Sequence, residues 1–231
     1  MDKIWQEKYP DKNITKEDKT IYFLRQLIFP LLLTLALSAI AQEKSDSTQK
    51  FTPAAFSKAA FAGGCFWCMQ PVYDHVEGVI ETTVGYIGGH TDNPTYETYA
   101  MPSADGTSYT EAIQITFDPD KVSYEALLNL FWHNIDPLSP PEAGQFCDVG
   151  YQYRSEIFYY NEAQKKLAEQ SKVALEQSSR FDKPIETRIT AATKFYKAEA
   201  YHQKYSIKNP LRYKLYRYNC GRDRTLKARW G

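Results

Sequence analysis

The chain lacks any excess of charge: 28 Lys and Arg balance 28 Asp and Glu across 231 residues. That balance excludes a general attraction to nucleic acid or anionic membrane. Cysteine is scarce, with four in all, and only Cys65 and Cys68 form a CxxC. Without a second such pair the spacings do not resemble zinc knuckles, so no metal is expected. Histidine is equally sparse. His75, His90, His133 and His202 each sit without a local motif that would mark the base of a Cys–His acyl-transfer centre. No internal repeat is present. The uncharged stretch 26–42, QLIFPLLLTLALSAIAQ, has an apolar core short of the roughly 20 residues of a spanning helix.

That stretch instead reads as a secretory signal. Arg25 precedes it, and Ala39-Ile40-Ala41 offers small residues for cleavage after Ala41. The segment before Arg25 is long and nearly charge-balanced, so an uncleaved anchor is the alternative. Residues 1–50 are therefore expected to be a signal peptide or anchor followed by a polar, disordered linker. The expected location is exported, either periplasmic or anchored facing the periplasm, with the cytoplasm as the lesser alternative. Residues 51–231 would be one domain, rich in tyrosine and phenylalanine.

In that domain, Lys58–Ala62 reads as a buried strand that ends at Gly63-Gly64. A helix is expected from Cys65 to His75, with Pro71 near its first turn. Strands are expected at Val79–Ile87, Tyr109–Phe117, Arg154–Tyr160 and Pro184–Thr190. Helices are expected at Ser123–Asn134, Asn161–Ser178 and Ala198–Tyr205. Residues 135–153 read as a long functional loop. The tail from Lys208 is taken as a flexible extension that carries Cys220. Strands alternating with two long helices predict an α+β fold, a two-layer ferredoxin-like α/β plait with the long C-terminal tail wrapped on it.

Gly63-Gly64-Cys65-Phe66-Trp67-Cys68 carries the chemistry. A cysteine where a strand turns into a helix meets free backbone N–H groups and the positive end of the helix dipole. Both favour the thiolate, so the spacing predicts a lowered pKa and a reachable nucleophile. Phe66 and Trp67 beside it could wall an apolar pocket for a methyl or thioether group, or simply start a helix core. A CxxC after a strand also suits a thioredoxin-like disulfide oxidoreductase. Against that reading, no Thr-Pro or Ile-Pro pair follows in a suitable strand context.

GCFWC resembles the signature of the A-type peptide methionine sulfoxide reductases, and other segments extend the likeness. Gly85-Tyr86-Ile87-Gly88-Gly89 with Asn93-Pro94-Thr95-Tyr96 is similar to the family's GY-x-GG…NPTY. Glu111-Ala112, Phe131-Trp132, Asp136-Pro137, Gly144–Asp148, Gln152–Ser155, Tyr201–Gln203 and Cys220–Asp223 follow in family order. Two departures stand out: Tyr109-Thr110 replaces the family's usual Gly-His, and Cys68 replaces a common glycine.

The resemblance implies roles. Cys65 would attack the sulfoxide sulfur, and Glu111, kept protonated by burial, would protonate its oxygen. Tyr96 and Tyr153 would hydrogen-bond that oxygen, and Asp148 would orient the substrate main chain or a water. Phe66 and Trp67 would hold the methyl group. The resulting sulfenic acid would condense with a second thiol. Cys220, Cys68 and Cys147 are the candidates, and the family's frequent use of a C-terminal cysteine favours Cys220. The implied partners are methionine sulfoxide, free or in proteins, and a thioredoxin-like reductant, with the enzyme a monomer and no organic cofactor.

Overall fold

The computed structural model describes residues 56–102 and 108–231. The expected signal peptide or anchor and its linker, residues 1–50, lie outside the described residues. Ser57–Gly63 forms the central strand β1. Alternate side chains of a strand face opposite ways. Ala59 and Phe61 enter the main core on one face, while Ala60 and Ala62 enter a smaller one on the other. The small alanines let other elements approach the strand, which is buried from Ala59 to Gly63.

After β1 come α1 (Phe66–Tyr73), β2 (Val79–Ile87), β3 (Thr110–Phe117) and α2 (Tyr124–Trp132). A 3-10 turn at Tyr151–Tyr153 leads into β4 (Ser155–Tyr159), α3 (Glu162–Gln177), β5 (Arg188–Ala191) and β6 (Tyr196–Lys197). The chain closes with α4 (Tyr205–Lys208), α5 (Pro210–Asn219) and α6 (Arg222–Trp230). The strands make one six-stranded sheet in the order β5-β4-β1-β3-β2-β6. Every neighbouring pair is antiparallel except β4 with β5. The fold is of mixed α+β class with a single sheet.

The main core joins β1, β3 and β4 to α1, α2 and α3 through Phe61, Met69, Tyr73, Ile113, Ile115, Leu127, Phe131, Ile157 and Ala168. Burying one large apolar side chain of this kind stabilises by about 1.5–3 kcal/mol. Both long helices start where their caps allow. Ser123 accepts from the Ala126 N–H, and Asn161 accepts from the Gln164 N–H.

Three expectations are corrected. Ala198 and Glu199 are irregular, residues 200–204 form turns, and the helix begins only at Tyr205. The tetrad Ala198–Tyr201 is occupied instead by contacts of Glu199, whose carboxyl accepts from the Tyr86 hydroxyl and the Tyr96 N–H. The strand expected at Pro184–Thr190 pairs only from Arg188 to Ala191, because only there does the chain run beside β4. The tail is a chain of three helices pinned to the domain. Arg222 bonds back to the Gly63 and Asn134 carbonyls, and Arg229 makes a two-pronged ion pair with Asp136.

Candidate active site

The turn between β1 and α1 admits only glycine. A side chain on Gly63 would come within 2.8 Å of Ile135 and Met69. Gly64 has φ +78°, and a side chain there would meet Gln145 at 2.7 Å. Cys65 follows as the N-cap of α1. It is 6% exposed, with the Tyr216 hydroxyl in hydrogen-bond contact with its sulfur. Burial pushes its thiol up, and the hydrogen bond it gives Cys68 and the nearby Glu111 push the same way. This corrects the expected low-pKa, open thiolate: the helix start is present, but enclosure outweighs it. Cys68 is pulled down to about 6, first by accepting the Cys65 hydrogen bond and then by Arg222 and Arg217.

Glu111 reaches this turn through strand pairing, which sets it opposite Tyr86 in β2. Its carboxyl is 2% exposed. Oε2 accepts from the Phe66 N–H at 2.9 Å, and Oε1 accepts from the Tyr99 hydroxyl at 3.1 Å. Burial pushes its pKa up to about 8 even against those two donors, so the carboxyl is neutral at pH 7. Tyr153 hydrogen-bonds to both Tyr96 and Tyr99. Tyr96 stacks on Tyr99 at 5.7 Å and remains 40% exposed. Burial raises all three phenols, which therefore stay protonated.

Phe66 is buried against Tyr86 and His202. Trp67 stacks on Tyr205 at 3.7 Å with the planes 7° apart, and meets the Tyr216 edge at 6.0 Å. Its indole N–H donates to His202 Nδ1 at 3.0 Å. That bond requires a neutral imidazole, and burial holds the His202 pKa below its usual value.

Asp148 accepts from the Tyr216 hydroxyl at 2.7 Å on both oxygens and from the Cys65 N–H. Burial nevertheless raises its pKa. Each sulfur of the Cys147–Cys220 disulfide lies 3.9 Å from this carboxylate, while Cys65 and Cys68 are free thiols. The Cys147, Asp148 and Cys220 donor atoms lie within 4.8 Å of one another. With the two sulfurs bonded together, they do not offer a metal two thiolates.

The residues singled out from sequence thus gather around one turn: Cys65, Phe66, Trp67, Cys68, Glu111, Tyr96, Tyr153 and Asp148, with Cys147 and Cys220 just beyond Asp148. Sequence reasoning missed Tyr99, Glu199 and Tyr216 as contributors, and it quoted the segments that hold His202 and Arg222 without giving either residue a role in the site. Tyr99, three residues past Tyr96 in a turn, had a usable signal. Tyr216, one of 18 tyrosines, had none.

Known proteins give the same outline. Residues 57–231 match the family described as peptide methionine sulfoxide reductase. The chain is 50% identical to a Bacillus licheniformis peptide methionine sulfoxide reductase MsrA, covering 75% of this chain and 93% of that one. It is 48% identical to a protein of the same name from Listeria monocytogenes, covering 78% and 98%. The crystal structure of Mxr1 from Saccharomyces cerevisiae in reduced form superposes with TM-score 0.59 at 30% identity, covering 71% of this chain and 91% of that one. Methionine sulfoxide reductase A of Corynebacterium diphtheriae gives 0.57 at 28% identity, covering 73% and 81%.

Proposed function

This chain belongs to the peptide methionine sulfoxide reductase family, and we infer that it reduces methionine-S-sulfoxide, free and in peptides, with Cys65 as the nucleophile. The observation that carries the assignment is the pinning of Glu111, a neutral carboxylic acid at pH 7, to the backbone N–H of Phe66, one residue from the sulfur. An acid held there can protonate the sulfoxide oxygen as Cys65 attacks the sulfoxide sulfur. Tyr96 and Tyr153, which stay protonated, donate to the oxygen as its charge grows. Phe66 and Trp67 receive the methyl group, and Asp148 orients the substrate main chain. Methionine leaves, and Cys65 carries a sulfenic acid.

Cys68 is the first resolving thiol on this reading, because its sulfur already holds a hydrogen bond from Cys65. The sulfenic acid and the Cys68 thiol condense to a Cys65–Cys68 disulfide and water. Thiolate exchange then moves the oxidation to Cys220 and Cys147, leaving Cys65 and Cys68 reduced. The sequence-based preference for Cys220 thereby becomes a second-stage role. Cys147 is exposed, which suits the last disulfide to reduction by a thioredoxin-like dithiol.

The strand order β4-β1-β3-β2 supports reading the fold as a ferredoxin-like plait, with α4–α6 as the tail wrapped on it. Export remains part of the proposal through residues 26–42, and N-terminal sequencing of the protein from cells tests it. The test of the activity is incubation of the reduced enzyme with each separate epimer of N-acetyl methionine sulfoxide. Only the S epimer should turn over, and Cys65→Ser should abolish it. Equal turnover of both epimers, or activity surviving in Cys65→Ser, overturns the assignment. Insulin reduction without sulfoxide turnover would favour a thioredoxin-like oxidoreductase.

A further inference from the structure

The charge balance of the whole chain hides a lopsided end. Residues 204–231 hold nine of the 28 bases and one of the 28 acids, Asp223. Five of those bases are engaged by the protein itself. Lys204 pairs with Asp74, Arg217 with Asp223 and Arg229 with Asp136. Arg222 bonds to the Gly63 and Asn134 carbonyls, and Lys208 Nζ donates to the Ala200 carbonyl at 2.7 Å. Arg212, Lys214, Arg224 and Lys227 are exposed, and among the described residues no carboxylate pairs with them.

Three large apolar side chains lie among these bases. Leu211, Leu215 and Tyr218 of α5 follow at the i, i+4, i+7 spacing that sets residues on one helix face. They are 82%, 62% and 83% exposed. At about 100° per residue, Lys214 flanks the row on one side and Arg212 on the other. The opposite face carries Tyr213, Tyr216 and Arg217, which are half-buried. At the C-terminal end of the row a hollow of about 320 Å³ opens, lined by Tyr218, Asn219, Gly221, Arg224 and the Arg217–Asp223 pair. An apolar row between lysine and arginine is the pattern of a helix that lies in a membrane interface. The aliphatic stems of the bases cover apolar surface while their charged ends reach phosphates. Nucleic acid would answer the bases but leave the leucines in water. A second copy seated on the same face by a two-fold axis would set Arg212 and Lys214 against their own kind.

We propose that the outer face of α5 docks this protein on an anionic lipid surface. Leu211, Leu215 and Tyr218 enter the headgroup layer, Arg212 and Lys214 meet phosphates beside them, and Arg224 meets one at the hollow. The attraction is local. It fades within a Debye length, so the cluster acts on the surface it touches whatever the distant charges sum to. Docking is independent of the chemistry at Cys65. The site-facing side of α5 holds Tyr216 against Asp148 and the Cys65 sulfur, and the lipid-facing side holds neither. A domain delivered by residues 26–42, on the export reading given above, would meet such a surface on arrival.

The matched region makes up 93% and 98% of two relatives, so residues 51–231 fold without the segment before them. Testing that domain keeps a second apolar stretch out of the measurement. It is sedimented with vesicles of phosphatidylcholine alone and of phosphatidylcholine mixed equally with phosphatidylglycerol, at low and high salt. Wild type should bind the mixed vesicles about tenfold more tightly than the neutral ones and come off as salt rises. Leu211→Ser with Leu215→Ser, and Arg212→Gln with Lys214→Gln, should each weaken binding about tenfold, and Arg224→Gln about fivefold. Sulfoxide turnover in free solution should stay at the wild-type level in each, which reports an intact fold. Undiminished binding by the active variants overturns the proposal. Wild type that binds both vesicles equally, or neither, overturns it whatever the variants do. A dimer in sedimentation velocity that the leucine changes dissolve overturns it in favour of a second copy.

Discussion

The Tyr99 hydroxyl donates to the Glu111 carboxyl at 3.1 Å, on the oxygen that the Phe66 N–H does not use. The acid is therefore gripped at both oxygens, and Tyr99 itself is tied to Tyr153. Tyr99 helps the carboxylate form, because it can donate to the anion, and so it works against burial. Tyr99→Phe should raise the Glu111 pKa above its present value of about 8. The alkaline fall in kcat/KM should move to higher pH, while activity at pH 7 drops about fivefold, from the loss of about 1 kcal/mol of positioning. A pH–rate profile of the variant against wild type reads both effects.

Glu111→Gln should lower methionine formation by about 10²–10⁴-fold, the usual worth of a general acid. It should also change stability in a pH-dependent way. The pKa of Glu111 is raised on folding, so its contribution is fully present at low pH and lost as pH rises toward about 8. Above that, wild type carries a buried carboxylate and the variant does not. Thermal melts should show the variant gaining on wild type between pH 5 and pH 9, and a constant gap would contradict the buried ionisation.

The sequence carried the parts of this site that depend on local chemistry. Gly63-Gly64-Cys65 announced a strand-to-helix turn, and the turn is there because neither glycine has room for a side chain. Ser123 and Asn161 marked their helix starts by the side-chain oxygen each supplies. What could not be read depends on distant pairing. Glu111 is buried because β3 lies between β1 and β2, an order that no local pattern encodes. The raised pKa of Cys65 comes first from burial and then from Cys68 and Glu111, groups brought together by the fold, and the Tyr216 hydroxyl reaches the same sulfur from a helix far along the chain. The tail looked polar and loose, because its anchors are charged side chains such as Arg222 and Arg229 rather than an apolar stripe.

His202 fixes Trp67 by accepting its indole N–H at 3.0 Å. Protonation would turn Nδ1 into a donor and break that bond. His202→Ala should therefore raise KM for methionine sulfoxide about fivefold, with a smaller change in kcat. Wild-type KM should also rise as pH falls below the usual histidine range, an effect absent in the variant. Steady-state kinetics between pH 5 and 8 give the comparison.

Cys147 and Cys220 are 73 residues apart. In the chain-entropy account, closing a loop of that length stabilises by at most about 4 kcal/mol. Cys147→Ser should retain single-turnover methionine release and lose multiple turnover with a dithiol reductase. It should also melt several degrees below the oxidised wild type and close to the reduced wild type. Unimpaired turnover would remove the pair from the relay.

Gly64→Ala should be more damaging than its size suggests. The residue needs φ +78° and meets Gln145 at 2.7 Å. A shifted turn moves both the Cys65 sulfur and the Phe66 N–H that holds Glu111. A loss of at least 2 kcal/mol in denaturant melts is expected, with kcat falling more than tenfold in whatever folds.

The Tyr216 hydroxyl meets both the Cys65 sulfur and the Asp148 carboxylate, so one phenol from the C-terminal helices joins the nucleophile to the residue beside the Cys147–Cys220 disulfide. A change at position 216 is thus a change in two places at once, at the sulfur and at the carboxylate next to the second pair of cysteines.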